Sequence, residues 1–435
     1  MQAQSLPGFR DFYPDDLALR SHIFRVWREV AARYGFEEYD GPPLEPLELY
    51  TAKSGAEIVG QLYSFVDKGG REVSLRPEMT PTLARMVAAR ANGLRKPIRW
   101  FSIPQLFRYE RQQRGRLREH FQLNCDLIGE PGPLADAEII ALAIDVIREL
   151  GLGAEDVRVR LSDRRVLSAM LRAGGVRDDQ LERAFQVIDK AERAPREELA
   201  ARLEDAGIAS SAADRVFRTA ALRGRAALEA ELATVPGGTE AGEPLFRTIG
   251  ALEAMGLGAF VDVDLTIVRG LAYYTGTVFE LFDAARSLRA ICGGGRYDSL
   301  LGSLGGVDLP ALGFGMGDVV LAELLREKGR VPAGTAPIDV FIAAVSAEDE
   351  AEVLALAHEL REAGFRCEFA LGGQALGKQL KLADARGARL AVVVGPEERA
   401  RGDVVLKDLR GKDQRTMARS ALVKALAAGL AARSV

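Results

Sequence analysis

The order of strand-like and helix-like stretches changes once along this chain, at "REKGRVPAGTAP", and no other feature constrains the fold as much. Beyond that Gly/Pro/charged segment, short apolar runs ("IDVFIAAV", "RCEFAL", "RLAVVV", "DVVLKDL") alternate with amphipathic stretches of helical length and a final helix. Strands alternating with helices in this way predict a separate α/β domain over 337–435, joined by a linker at 326–336. Before it, residues 1–325 read differently. Strand-like runs follow one another over short connections, which predicts an antiparallel sheet, and a segment at about 163–245, rich in Ala, Leu, Arg and Glu, interrupts them as a helical insertion. The expected class is α+β with a C-terminal α/β domain.

Composition narrows the function classes. With 435 residues, 48% hydrophobic and 28% charged, the chain has the balance of a soluble protein with a sizeable core. The sequence holds no apolar run long enough to span a bilayer and no basic start leading into an apolar stretch, so neither a membrane span nor a secretory leader is expected. Cys125, Cys292 and Cys367 stand far apart, with no CxxC and no Cys/His cluster. That predicts a reducing cytoplasm and no structural zinc.

A net charge of −4 does not advertise a nucleic-acid partner, but a local basic patch is enough to steer one. "RYERQQRGRLREHFQ" carries Arg108, Arg111, Arg114, Arg116 and Arg118, and between Arg108 and Arg118 they stand against one carboxylate, Glu110. Together with "SLRPEMTPT" and "IVRGLAYYTG" it places arginines without local acidic partners, a pattern suited to an anion with paired oxygens such as phosphate. "AICGGGRYDSLLGSLGG" adds glycines that let a backbone approach a ligand closely. Strand alternation puts Gln122, Asn124 and Asp126 on one face with His120 beside them, an amide and a carboxylate in a row where a substrate cation can sit. Taken alone, each element has a plainer reading. Arg269 reads first as one half of a buried ion pair, "GGGRYD" as a hairpin turn, and "RGLAYYTG" as part of a strand with Tyr273 and Tyr274 on opposite faces. A Rossmann fingerprint is only weakly suggested and a P-loop is absent.

In combination the motifs resemble the class II aminoacyl-tRNA synthetases, and among them the histidyl-tRNA synthetase family. "FRYERQQRGRLREHFQ" is similar to the class II motif 2, "RGLAYYTG" to a box of the histidine enzymes, and "GFRDFYPDD", "RPEMT" and "GGGRYDSLL" match in order. "GKQLKLADARGARLAVVVG" and "DVVLKDL" resemble that family's anticodon-binding domain. The resemblance covers essentially the whole chain. It implies a ligase that activates L-histidine with ATP and Mg²⁺ and passes it to tRNA(His), working as a homodimer with Pro42 at the motif 1 interface position. It further implies that Arg108 and Arg269 are the catalytic cations on the α-phosphate, and that Glu110 and His120 attend the adenine. Glu78, Met79, Thr80, Gln122, Asp126, Tyr273 and Tyr274 would form the histidine pocket, and Arg111 and Gln113 would approach the tRNA acceptor end.

The chain also departs from the family's usual pattern. Ala272 stands where an aspartate is usual, Asp318-Val319 where motif 3 ends in Glu-Arg, His120-Phe121 where a phenylalanine more often comes first, and Gln112 in place of a common proline. RGLAYY and a similar motif 3 also characterise an organellar-like branch. Two non-catalytic readings compete: a synthetase-like regulatory subunit of ATP phosphoribosyltransferase, and a tRNA-binding paralogue. Those regulatory paralogues typically lack the C-terminal domain and degrade the arginine box, whereas here both are present.

Overall fold

The computed structural model describes residues 4–51, 59–111, 113–269, 273–332, 338–411 and 413–431. It divides into two compact units, Met1–Pro332 and Ala333–Val435.

The first unit is built on a nine-stranded, mostly antiparallel sheet. From one edge inward run Glu37–Glu38, Ile98–Ser102, Glu119–Ile128 and Ala311–Gly317; then come Cys292–Arg296, Thr277–Asp283, Val157–Asp163 and Val261–Val263, with Gln105–Phe107 paired to Glu119–Ile128 off this path. Period-two alternation gives the long strand Glu119–Ile128 two characters. Leu123, Cys125 and Leu127 enter the core, while Gln122, Asn124 and Asp126 face the other way. The helix Pro133–Glu149 is apolar nearly all round, and Ile140, Leu142, Ile144 and Ile147 are fully buried. It lies between the sheet and the helices Pro14–Arg33 and Gly238–Ala254, so apart from its ends only a narrow stripe, Glu138, Asp145 and Arg148, reaches solvent and is polar.

Six helices follow the strand Val157–Asp163, from Arg164–Ala173 to Gly238–Ala254. They run past the boundary expected near Leu245, because the last of them continues through Pro244 with the Thr248 hydroxyl bonded to the Pro244 carbonyl. "GGGRYD" is no hairpin turn. Its glycines form the strand Cys292–Arg296 inside the sheet, paired on both sides. The described residues of "RGLAYYTG", Arg269 and 273–276, lie in no strand. Asp264 makes only an isolated bridge to Arg223, and the buried Leu265, Ile267 and Val268 are non-strand residues packed in the core. An apolar run cannot distinguish a buried strand from a buried loop. Ala272 lies outside the described residues.

The second unit holds a five-stranded sheet in the order Cys367–Phe369, Val340–Ala344, Leu390–Val394, Asp403–Asp408 and Gln414–Ala418. The first three are parallel, and the rest are added antiparallel. Helices such as Glu350–Glu362 cover it, with Leu356 and Leu360 against Val340, Ile342 and Val392. The last strand, "QRTMA", carries no sequence signal because it is an edge strand that is mostly exposed on both faces. Among the described residues no helix is long and apolar enough to cross a membrane.

One buried ion pair fixes the middle of the large sheet. Arg296, at the end of the glycine strand, donates from Nη2 to Asp136 Oδ2 at 2.6 Å and from Nε to both carboxylate oxygens at 3.2 Å. Its remaining donors reach the Glu130 and Gly132 carbonyls at 3.1 and 3.2 Å and Asp298 at 3.2 Å. With the two side chains only 2% and 3% exposed, removing Asp136 leaves a buried guanidinium with only the partly exposed Asp298 as counter-ion. We expect Asp136→Ala to lower the unfolding free energy of this unit by roughly 3–5 kcal/mol. Urea unfolding followed by tryptophan fluorescence reads this unit alone, since the chain's two tryptophans, Trp27 and Trp100, both belong to it.

Candidate active site

The polar face of the large sheet has a floor without side chains. Register places Asn124 opposite Gly315, Gly315 opposite Gly293 and Gly293 opposite Glu280; one pair along, Asp126 faces Gly313, and Gly313 faces Gly295. A Cβ on Gly293 would fall inside the guanidinium of Arg269, and one on Gly313 would collide with the Asp126 carboxylate. The glycines thus make room for two buried charged side chains.

Two cavities open over this floor. The larger, about 200 Å³, is bounded by Arg108, Glu110 and His120 on one side and by Ile291, Cys292 and Val319 on the other. The smaller, about 70 Å³, is bounded by Glu78, Thr80, Asp126, Tyr273, Tyr274 and Tyr297. Arg108, Gln122 and Arg269 line both, so two guanidinium groups stand where the cavities meet.

Arg108 is aimed by its backbone N–H, bonded to the Arg118 carbonyl at 3.0 Å, and by its Nε, bonded to the Pro77 carbonyl at 2.9 Å. Arg269 is held in the left-handed region, φ 55°, at a cost of about 1–2 kcal/mol for a residue with a Cβ. Its guanidinium lies over the Tyr274 ring, 5.7 Å from the centroid, with Glu280 Oε1 at 3.8 Å from Nη1. That Nη1 is buried without a hydrogen-bond partner among the described residues. Three other arginines of these stretches do have acidic partners, contrary to expectation, supplied by remote parts of the chain or across the loop. Arg76 pairs with Asp40 at 2.7 Å, Arg114 with Glu323 and Glu327, and Arg116 with Glu110, while Arg118 lies over the Tyr109 ring at 4.1 Å.

In the smaller cavity burial dominates the protonation of Asp126. It raises the carboxyl to about 7 even though the Tyr297 hydroxyl donates to Oδ1 and pulls the other way. Tyr273 and Tyr274, expected on opposite faces, both line this cavity with ring centroids 5.0 Å apart, because they stand on a loop. Met79 is the exception among the expected pocket residues. Glu78 and Thr80 on either side line the cavity, whereas Met79 is 1% exposed in the core behind it, with its sulfur 3.9 Å from Arg76 Nη1. In the larger cavity burial, reinforced by Arg108 and Arg10, pushes His120 down to about 3, so its ring is neutral and presents a flat π surface. Arg111 and Gln113 line neither cavity and are exposed on the loop between Arg108 and Arg118. There Gln113 bridges to the Arg116 backbone and accepts from Arg289.

Sequence reading passed over Glu280 and Tyr297. Each had a signal: a lone carboxylate inside the apolar "TVFELF", and an aromatic directly after the buried Arg296. Among the described residues no group of three or more His, Cys, Asp or Glu side chains stands close enough to hold a metal ion.

Comparison with known proteins agrees with this geometry. A family model described as histidyl-tRNA synthetase matches residues 8–318, and one described as an anticodon binding domain matches residues 339–428. A histidine–tRNA ligase of Opitutus terrae is 48% identical over 414 residues, covering 93% of this chain and 94% of that protein. A chloroplastic/mitochondrial histidine–tRNA ligase of Arabidopsis thaliana is 40% identical over 407 residues, covering 94% and 83%. The crystal structure of histidyl-tRNA synthetase from Nostoc sp. PCC 7120 superposes with a TM-score of 0.82 at 25% identity, covering 98% of this chain and 99% of that one.

The titration of Asp126 has a consequence for stability. A carboxyl whose folded-state value lies above its unfolded value opposes folding only once it must ionise. The penalty is absent below about pH 4, grows between about pH 4 and 7, and stays constant above. Asp126→Asn removes it. We expect the variant to exceed the parent in stability by up to roughly 3–4 kcal/mol at pH 8 and to match it near pH 4, measured by urea unfolding at both pH values.

Proposed function

The chain belongs to the histidyl-tRNA synthetase family, and on that premise we propose how its own side chains divide the work of joining histidine to tRNA. The reaction is an ATP-dependent ligation. In its first step a histidine carboxylate oxygen bonds to the α-phosphorus of ATP, and the bond from that phosphorus to the bridging oxygen breaks. Pyrophosphate leaves with the electron pair, and histidyl-adenylate remains. The nucleophile is already ionised, so the protein need not remove a proton; its task is in-line positioning and neutralisation of phosphoryl charge. In the second step a hydroxyl of the terminal ribose of tRNA bonds to the carbonyl carbon of the adenylate, and the bond from that carbon to the phosphate oxygen breaks. AMP leaves with the electron pair, and the hydroxyl proton passes to the leaving phosphate or to water.

The observation that carries the assignment is that Arg108 and Arg269 line both cavities. ATP in the larger cavity and histidine in the smaller would have their reacting atoms at that junction, between two preorganised cations. Glu78, Asp126 and Gln122 then meet the ammonium and imidazole of histidine, with Thr80, Tyr273 and Tyr274 closing the pocket. Amino acids that leave these buried polar groups unpaired are rejected. The neutral His120 stacks on adenine, and Glu110 receives its amino group. Magnesium enters with ATP as part of that substrate.

The exposed Arg111 and Gln113 are our candidates for contact with the acceptor end, while the anticodon-binding domain takes the other end of the tRNA. A homodimer through the face carrying the exposed Pro42 belongs to the same reading. A reducing, cytoplasmic setting suits three buried free thiols.

Histidine-dependent ATP–pyrophosphate exchange tests the reading, and its absence at saturating Mg²⁺-ATP would overturn it. We expect Arg269→Ala to slow exchange by roughly 10²–10³-fold in a folded protein. Asp126→Asn should weaken histidine binding by roughly 10–100-fold and leave ATP binding little changed. Equal losses for both substrates would remove Asp126 from the histidine pocket.

A further inference from the structure

Arg164 makes no contact with either cavity of the candidate site, yet it ties both ends of the loop that carries Arg269. Its Nη2 donates to the Arg269 carbonyl at 3.0 Å, and its backbone N–H donates to the Gly276 carbonyl, also at 3.0 Å. At the first of those anchors the backbone is left-handed, and Arg269 belongs to no strand that would fix it. The neighbouring Asp163 secures the same junction. Its carboxylate caps the helix Arg164–Ala173 by accepting from the Arg165 N–H at 2.8 Å, and also accepts from the Thr277 hydroxyl at 3.2 Å.

Arg164 is itself held from the far side by a different element. Its guanidinium lies over the Phe185 ring, 4.5 Å from the centroid, with Glu182 Oε2 at 3.8 Å from Nη1. Both partners belong to the helix Leu181–Lys190. The side chain is 7% exposed, and its Nε has no hydrogen-bond partner among the described residues. An arginine this buried, with only distant carboxylates (Glu182 and Asp189), is a poor stabiliser of the fold. Its fork is instead spent on a carbonyl oxygen whose direction sets the backbone of Arg269.

We propose that Arg164 is a positioning residue for Arg269: it locks the left-handed backbone there, and through it the helices following Val157–Asp163 set the geometry of the reacting site. The proposal rests on the catalytic reading of Arg269 and extends it. The helical segment thereby acquires a role in the activation step that needs no contact with substrate. A shift of the helix Leu181–Lys190 displaces Arg164 and releases the carbonyl it holds.

A double-mutant cycle on ATP–pyrophosphate exchange tests this. We expect Arg164→Ala to lower kcat by about 10–100-fold, as a small misplacement of a catalytic group does, with KM for ATP and histidine nearly unchanged. In an Arg269→Ala background the same substitution should have no further effect, because the group it positions is gone. Arg164→Lys keeps a cation over Phe185 without the planar fork; it should fall between the two and show the same loss of effect in the Arg269→Ala background. If Arg164→Ala does not fold, the lysine variant completes the cycle. Additive losses, or exchange in both Arg164 variants equal to the parent, would overturn the proposal alone. Normal exchange in Arg269→Ala would remove the reading beneath it and the proposal together.

Discussion

The site depends on one steric constraint, the absence of side chains where two strands pass side by side. Gly293, Gly295, Gly313 and Gly315 occupy adjoining positions on one face of the sheet, and each faces another glycine across the register. A sheet face without Cβ atoms is a poor packing surface, since glycine gives up more chain entropy on folding than any other residue and buries nothing. The loss is offset by anchoring. The Arg296–Asp136 pair clamps the end of the glycine strand to the helix Pro133–Glu149, whose apolar surface fills the opposite side of the sheet. The floor stays flat because the far face of the same strands is tightly packed.

That floor explains which charges remain uncompensated. A buried ion pair is useful to a fold when both partners are satisfied, as Arg296 and Asp136 are, and a liability when one is not. Arg269 and Asp126 are of the second kind. The first has a donor with no hydrogen-bond partner and a carboxylate at the limit of ion-pair distance; the second has a phenol in place of a cation. Both defects border the cavities, and they have opposite sign. A ligand with an anionic centre beside Arg269 and a cationic one beside Asp126 repairs both, and an amino acid joined to a phosphate has that polarity. Unsatisfied polarity in the free protein is thus directed recognition in the bound one.

How much of this was legible in the sequence follows from how local each feature is. Alternation along Glu119–Ile128 placed Gln122, Asn124 and Asp126 together because period two needs no tertiary information. The switch of pattern near residue 330 separated the two units for the same reason. What could not be read depended on partners remote in the chain. Arg114 and Arg76 look unpaired until folding brings Glu327 and Asp40 to them. The loop at Arg269 imitates a strand because Leu265, Ile267 and Val268 are as buried as strand residues would be. Met79 groups with the pocket only by adjacency, and its side chain points elsewhere. Its neighbours Glu78 and Thr80 line the cavity, and it enters the core between them.

The departure at Asp318-Val319 acquires a physical account in the same terms. Asp318, buried at the start of the helix Asp318–Glu327, accepts from Arg10 Nη1 at 2.8 Å and from the Phe121 N–H at 2.9 Å. Arg10 also binds Glu119 at 2.6 Å, and Glu119 accepts from Gln105 at 3.0 Å. One carboxylate therefore joins the N-terminal segment, the strand Glu119–Ile128 and the helix Asp318–Glu327 at the rim of the larger cavity. Val319 beside it lines the cavity without charge, and Arg116 is neutralised by Glu110. The cationic character of the junction then falls on Arg108 and Arg269, and a site with fewer cations depends more on how accurately each is aimed. That is why the backbone of Arg269, and the residue that holds it, matter more in this chain than the count of arginines suggests.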